Sequence, residues 1–228
     1  MTTKAIIWDL DGTLIDFKID FIRARREAIN ILKEYGIPRG KLSIKNSILL
    51  NTQNSKQIFS ERGYPPEKVQ EIMNLVNQKV IEIEYEAALK AVKIEGIDEV
   101  LEYVKNKNLK QAIYTFNTNQ NARISLETAG LLAYFNLIVG RDDVANPKPH
   151  PDHLNCICEH LGVKVSEIIV IGDNNRDIEG ALNVGARSIA VYTKISRIAN
   201  LEMLKKADRF IKEDESSTKL IHAIEELL

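Results

Sequence analysis

Five short apolar runs that break off in polar residues constrain this chain more than any other feature: KAIIWDL (4–10), KQAIYTF (110–116), FNLIVG (135–140), EIIVIGD (167–173) and RSIAVYT (187–193). DRFIKE, beginning at 208, reads as a sixth. A strand that is apolar at consecutive positions is buried on both faces, which is the situation of a parallel sheet covered by helices on either side. Helical patterns occupy the later intervals, as in NARISLETAGLLA, PDHLNCICEHLG and NRDIEGALNVGA, and the second and third of these include a glycine where a helix C-terminus favours one. Strand–helix alternation of this kind predicts an α/β fold with a doubly wound, mostly parallel, Rossmann-like sheet.

The first interval breaks that rhythm. Roughly 90 residues separate the run ending near Leu10 from the next one, far more than the single helix of an ordinary crossover needs. Helical patterns run through it: FKIDFIRARREAINILKEYG, then SKQIFSERG, then a long segment opening PPEKVQEIM, in which Pro66 suits a first helical turn. With 228 residues and 44% apolar content, the chain can bury more than one core. The expected organisation is an α/β core made of 1–16 and 93–228, with an all-helical cap over 17–92. On the first cap helix Arg25 interrupts the stripe Phe21, Ala28, Leu32, Tyr35. It is read as one half of a structural ion pair, in preference to a group facing a substrate anion.

Charge and composition exclude several classes. A formal net charge of −1, from 31 Lys and Arg against 32 Asp and Glu, gives no electrostatic reason to expect a nucleic acid or an anionic membrane as partner. MTTK passes straight into a short run ending in carboxylates, neither a signal peptide nor a membrane span, so the expected location is cytoplasmic. The two cysteines, Cys156 and Cys158, lie in HLNCICEHLG, where Leu154, Ile157, Cys158 and Leu161 share a helical stripe. That pattern is packing, not a zinc site or a disulfide framework.

In an open parallel sheet, ligands sit beyond the carboxyl ends of the strands. Here those ends carry Asp9 and Asp11 in DLDGT, Thr115, and Asp173 followed by Asp177 in GDNNRD, while NPKPHPD supplies Lys148. Carboxylates brought together at the mouth of a buried strand repel unless a metal ion or a shared proton needs them there. With one hydroxyl and one lysine they make a hard, oxygen-rich set suited to Mg²⁺. Each has an ordinary explanation alone: Asp11-Gly12 as a turn, Asp177 as an early helical acid, Lys148 as a solvated cation. Only the combination, in order along the chain, is specific. His150, between two prolines, reads as a loop residue, and Trp8 as core packing.

These four segments resemble the four motifs of the haloacid dehalogenase superfamily, and EGIDEVLEYVKNKNLKQAIYT and DDVANPKPHPD are similar to its phosphoglycolate phosphatase-like branch, over essentially residues 4–193. The resemblance implies a Mg²⁺-dependent phosphohydrolase acting on a small phosphorylated metabolite. Asp9 would be the nucleophile and Asp11 the general acid and base. The metal would be held by Asp9, the carbonyl of Asp11 and Asp173, with Asp177 supporting its shell. Thr115 and Lys148, with the backbone at Gly12 and Phe116, would hold the phosphoryl oxygens, and Thr13 would orient Asp11. The cap would exclude water and set selectivity. One departure stands out: the family often has asparagine or glycine after the motif threonine, where this chain has Phe116, followed by Asn117 as the side chain available to substitute. A phosphomutase of the same superfamily is the nearest alternative, and a non-catalytic phosphate-binding module a more distant one. A dehalogenase is disfavoured because Asp11 is present.

Overall fold

The apolar runs become strands because nothing in them breaks a continuous buried ladder. In this computed structural model the described residues are 2–16, 18–192, 200–212 and 217–228; Phe17, Thr193 and Glu213, at the ends of expected segments, lie outside them. Among the described residues, Ala5–Trp8 (β1), Lys110–Tyr114 (β4), Leu137–Val139 (β5), Ile168–Gly172 (β6), Arg187–Tyr192 (β7) and Arg209–Lys212 (β8) form one sheet in the order β5-β4-β1-β6-β7-β8. Every pairing is parallel. The run near 208 is therefore a strand at the sheet edge.

Alternation along β1 sets the layers. Ile6 and Trp8 pack with residues of Ile97–Asn106 (α4), Asn119–Thr128 (α5) and Ser217–Leu227 (α9) on one face. Ala5 and Ile7 pack with Pro151–Leu161 (α6) and Asn175–Val184 (α7) on the other. Leu201–Leu204 (α8) precedes β8. Fully burying one such isoleucine is worth about 1.5–3 kcal/mol relative to exposure, so the central strands are held firmly in place. Trp8 is buried as expected, its indole N–H donating to Gln111 Oε1 at 3.0 Å. Cys158 belongs to the α6 face of the core, where burial pushes its thiol up to about 11.

The chain divides into two compact units, Met1–Phe17 with Ala88–Leu228, and Lys18–Ala87. The second consists of Phe21–Glu34 (α1), Ile48–Glu61 (α2) and nearly all of Pro66–Ala88 (α3). Asp20 and Ser47 cap the first two by accepting from the backbone N–H of Arg23 and Leu50. Ala28, Leu32, Phe59, Ile72, Met73 and Val76 form its own core. Phe21 lies outside that stripe, being 56% exposed. The ion pair expected of Arg25 belongs instead to Arg23, whose guanidinium binds both oxygens of Glu86 at 2.5 and 2.9 Å. Arg25 reaches the carbonyl of Ile44 at 3.4 Å.

The helical unit ends at Ala87 and not at 92 because the following residues belong with the sheet unit: Ala91 is buried in its core, and Ile15–Asp16 (β2) pairs antiparallel with Val92–Lys93 (β3). No helix among the described residues is long and apolar enough to cross a membrane.

Candidate active site

β1 sits between β4 and β6, so successive parts of the chain leave it toward opposite sides of the sheet. That reversal opens a crevice at the carboxyl ends of the strands. Asp9 follows β1, Thr115 follows β4, Asp173 follows β6, Asp177 is the third residue of α7, and Lys148 lies in the segment between β5 and α6. The ladder carries on one step past β1, the N–H of Asp9 donating to the Ile171 carbonyl at 2.8 Å.

Three of the carboxylates converge. Asp9, Asp173 and Asp177 are buried, and each offers an oxygen within 4.8 Å of the others. Lys148 Nζ is the countercharge, donating to Asp9 Oδ1 at 2.5 Å, Asp177 Oδ1 at 2.6 Å and the Tyr114 carbonyl at 2.8 Å. Burial alone would lower the lysine pKa, but Asp177 and Asp9 outweigh it and raise it, so the ammonium is retained. Burial also pushes Asp177 up to about 7, against the opposing pull of Lys148. The second oxygen of Asp177 accepts from the Asn174 N–H at 2.9 Å, completing a reciprocal cap with the Asn174 side chain at the start of α7. Asp177 is thus both a helix cap and the seat of the lysine.

Asp9 is restrained through both oxygens, since Thr13 Oγ1 donates to Oδ2 at 3.1 Å. This corrects the expectation that Thr13 orients Asp11. Asp11 lies outside the converging trio as a side chain and accepts from Thr115 Oγ1 at 3.4 Å. Gly12 makes the close approach possible. Its φ is +95°, and a Cβ there would stand 2.5 Å from Asp173 Oδ2. At Gly172 a side chain would collide with the Asp177 carboxylate.

The β4 loop carries the phosphate-binding candidates. Thr115 is fully buried and its hydroxyl also accepts from the Asn117 N–H at 3.0 Å. The Phe116 ring is turned out, 37% exposed, while its carbonyl accepts from Arg141 Nη1 at 2.7 Å. Asn117 is buried with Oδ1 taken by the Thr118 N–H, and among the described residues its Nδ2 meets no acceptor. A buried amide donor left open beside the motif threonine suits an anionic oxygen. His150 is an exposed helix cap, its Nδ1 accepting from the Asp152 N–H at 3.2 Å.

Sequence reasoning missed His153. It is fully buried, Nδ1 accepts from the Lys148 backbone N–H at 3.2 Å, and Nε2 lies 2.9 Å from the Val139 carbonyl. Because an amide N–H only donates and a carbonyl only accepts, these partners fix the neutral tautomer with its proton on Nε2. The ring packs edge-on against Tyr114, whose own ring lies 4.7 Å from Lys148 Nζ. A signal existed: a histidine beside Leu154 on the apolar stripe of α6 is a buried polar group that needs partners.

Burial, assisted by Lys148 and opposed by Val139 and Asp143, pulls His153 from 6.5 down to about 4. The unfolded chain then binds the proton more readily. The stability contribution is fully present above pH 6.5 and is lost as pH falls toward 4, by about 3 kcal/mol at most. We expect urea midpoints of the wild type to drop more steeply between pH 7 and pH 5 than those of His153→Gln, which cannot titrate. Parallel profiles would show that His153 contributes nothing to the slope.

Residues 6–191 match the family model described as haloacid dehalogenase-like hydrolase, and the chain belongs to that family. A curated relative, pyrophosphatase PpaX from Halalkalibacterium halodurans, is 30% identical over 191 residues, covering 84% of each chain. Among solved structures, a putative phosphoglycolate phosphatase from Lactobacillus delbrueckii subsp. bulgaricus superposes with a TM-score of 0.67 at 19% identity, over 98% of this chain and 99% of that one. A putative beta-phosphoglucomutase from Thermotoga maritima does so with a TM-score of 0.62 at 22% identity, over 99% and 100%. At such identities these two establish a shared fold. The chain is thus a haloacid dehalogenase-like hydrolase whose buried acidic cluster, Asp9, Asp173 and Asp177, fits a metal ion.

Proposed function

We propose that the chain is a phosphohydrolase that cleaves a small-molecule phosphate monoester, requires Mg²⁺ and works through an aspartyl-phosphate on Asp9. The observation that carries this reading is the double restraint on Asp9, with Lys148 on one oxygen and Thr13 on the other. A carboxylate held at both oxygens, beside a cation, is a pre-oriented nucleophile.

The buried oxygens of Asp9 and Asp173, with the Asp11 carbonyl, are the hard donors that would hold Mg²⁺. When bound, the metal would supply the positive charge that lets an anion approach a phosphate dianion. Asp177 contributes by holding Lys148. In the proposed reaction an Asp9 oxygen attacks phosphorus as the bond to the leaving oxygen breaks, and Asp11 gives that oxygen a proton. Asp11 then takes a proton from a water whose oxygen attacks the phosphorus, which releases inorganic phosphate and restores Asp9. Lys148, Thr115, the backbone at Gly12 and Phe116, and the Asn117 amide would bind the transferring phosphoryl group. In this proposal the sheet unit, Met1–Phe17 with Ala88–Leu228, carries the chemistry, and the helical unit, Lys18–Ala87, contributes selectivity.

The test is phosphate release from a panel of phosphorylated metabolites that begins with inorganic pyrophosphate, the substrate implied by the curated relative's name. Activity should vanish with excess chelator and return with Mg²⁺. Independently of turnover, Mg²⁺ at 100 times its dissociation constant should stabilise the wild type by about 2.7 kcal/mol, and Asp173→Asn should reduce that gain. Full activity in excess chelator would rule out the metal requirement. Conversion of a sugar phosphate to its isomer without phosphate release would instead support a phosphomutase, which can use the same residues.

A further inference from the structure

The bulky residue that departs from the family pattern has a partner. β4 and β6 flank β1, so their ends stand about 10 Å apart, two inter-strand spacings, with Asp9 between them. Phe116 lies just beyond β4, and Arg176 is the second residue of α7, just beyond β6. The Arg176 guanidinium nevertheless lies 4.6 Å from the centre of the Phe116 ring. The two side chains therefore meet across the end of the strand that carries Asp9. Both feet of this bridge are fixed. The Phe116 carbonyl is held by Arg141, the Arg176 N–H donates to Asn174 Oδ1 at 3.2 Å, and the next residue, Asp177, is held by Lys148.

The charges are unequally used. Lys148 is shared among Asp9, Asp177 and the Tyr114 carbonyl. No described residue accepts from the Arg176 guanidinium, which keeps its fork of five donors for something else. An aromatic face orients such a fork while leaving its edge available, and the groups that match it are carboxylate and phosphate, bound two bonds at a time.

We infer that Arg176, laid on the ring of Phe116, is a specificity-determining residue that binds a second anionic group, carboxylate or phosphate, on the leaving side of the substrate. This rests on the phosphohydrolase reading and adds to it a discriminating element in the sheet unit itself.

The test compares kcat/KM on the same protein preparation for p-nitrophenyl phosphate, whose organic part is uncharged, with that for 2-phosphoglycolate and for pyrophosphate, which carry a carboxylate and a second phosphate. Loss of folded protein cancels from the ratio. Arg176→Gln should lower the preference for one or both anionic substrates by about 10- to 100-fold, the worth of a charge-assisted contact. Arg176→Lys should restore part of it, and Phe116→Leu should lower it less than Arg176→Gln. Which of the two ratios moves tells a carboxylate reader from a phosphate reader. A binding measurement needs no turnover: with Mg²⁺ present, methylenediphosphonate should bind the wild type more tightly than inorganic phosphate, by a margin that shrinks in Arg176→Gln. Ratios and margins unchanged in Arg176→Gln would overturn the inference even where Asp9-dependent phosphatase activity stands.

Discussion

Asp9→Asn is expected to abolish turnover with every phosphate ester, by at least about 10⁴-fold in kcat. The amide cannot form an acyl-phosphate. The other carboxylates are poor replacements: Asp177 is engaged through both oxygens by Lys148 and the Asn174 N–H, and Asp11 lies apart from the converging trio. The substitution also turns an amide toward Lys148 Nζ or Thr13 Oγ1, where the wild type offers only acceptors. A charge removed from a buried pair leaves its partner uncompensated, at a cost of about 3–5 kcal/mol, although Asp177 still neutralises the lysine here and should soften that loss. The measurement is therefore activity on folded protein, checked by denaturant unfolding, together with mass spectrometry of acid-trapped enzyme. Phosphate on Asp9 in the wild type and its absence from the variant are expected. A phosphoryl group found on any other residue would overturn the mechanism.

How much of this was legible in the sequence follows from how local each feature is. The sheet was legible because AIIW and IIVIG are buried at every position, and such runs announce a strand covered on both sides. The ends of the strands were legible for the same reason, since the first carboxylate marks where the apolar run stops, as Asp9 does after AIIW and Asp173 after IIVIG. The pair β2 and β3 was not, because two residues carry no periodicity. The N-terminal turns of α2 were missed as well. ILLNTQN lacks an apolar stripe, and it is the Ser47 cap that starts the helix there. Within the site, the residue types were readable but not their pairings. Thr13 is four residues from Asp9 and two from Asp11, and only the fold of the loop selects Asp9. His153 under Lys148 and Arg176 over Phe116 are contacts that chain order cannot announce. The boundary of the helical unit also shifted, because Ala91 is claimed by the core of the other unit, a tertiary fact.

The remaining prediction separates the two carboxylates of the opening motif, which a purely metal-binding account would treat alike. The geometry already distinguishes them. Asp9 belongs to the buried trio with Asp173 and Asp177, whereas the Asp11 side chain is outside it, half-buried, and meets the Thr115 hydroxyl. Asp11→Asn should therefore preserve metal binding and the nucleophile while removing the proton donor. General acid catalysis typically contributes about 10²- to 10⁴-fold, and it matters most when the departing oxygen is a poor leaving group. Transfer from a sugar or alkyl phosphate to Asp9 should fall by that amount, and transfer from p-nitrophenyl phosphate by far less, because nitrophenolate leaves without a proton. The second step needs Asp11 again, as base toward water, so the variant should accumulate phosphoenzyme: a burst of nitrophenolate followed by slow turnover. Rapid-mixing measurements with both kinds of ester, read alongside the mass of the trapped protein, decide the matter. If the burst rates for good and poor leaving groups fall by the same factor in Asp11→Asn, Asp11 is not the acid, and its place beside Thr115 serves only to shape the loop.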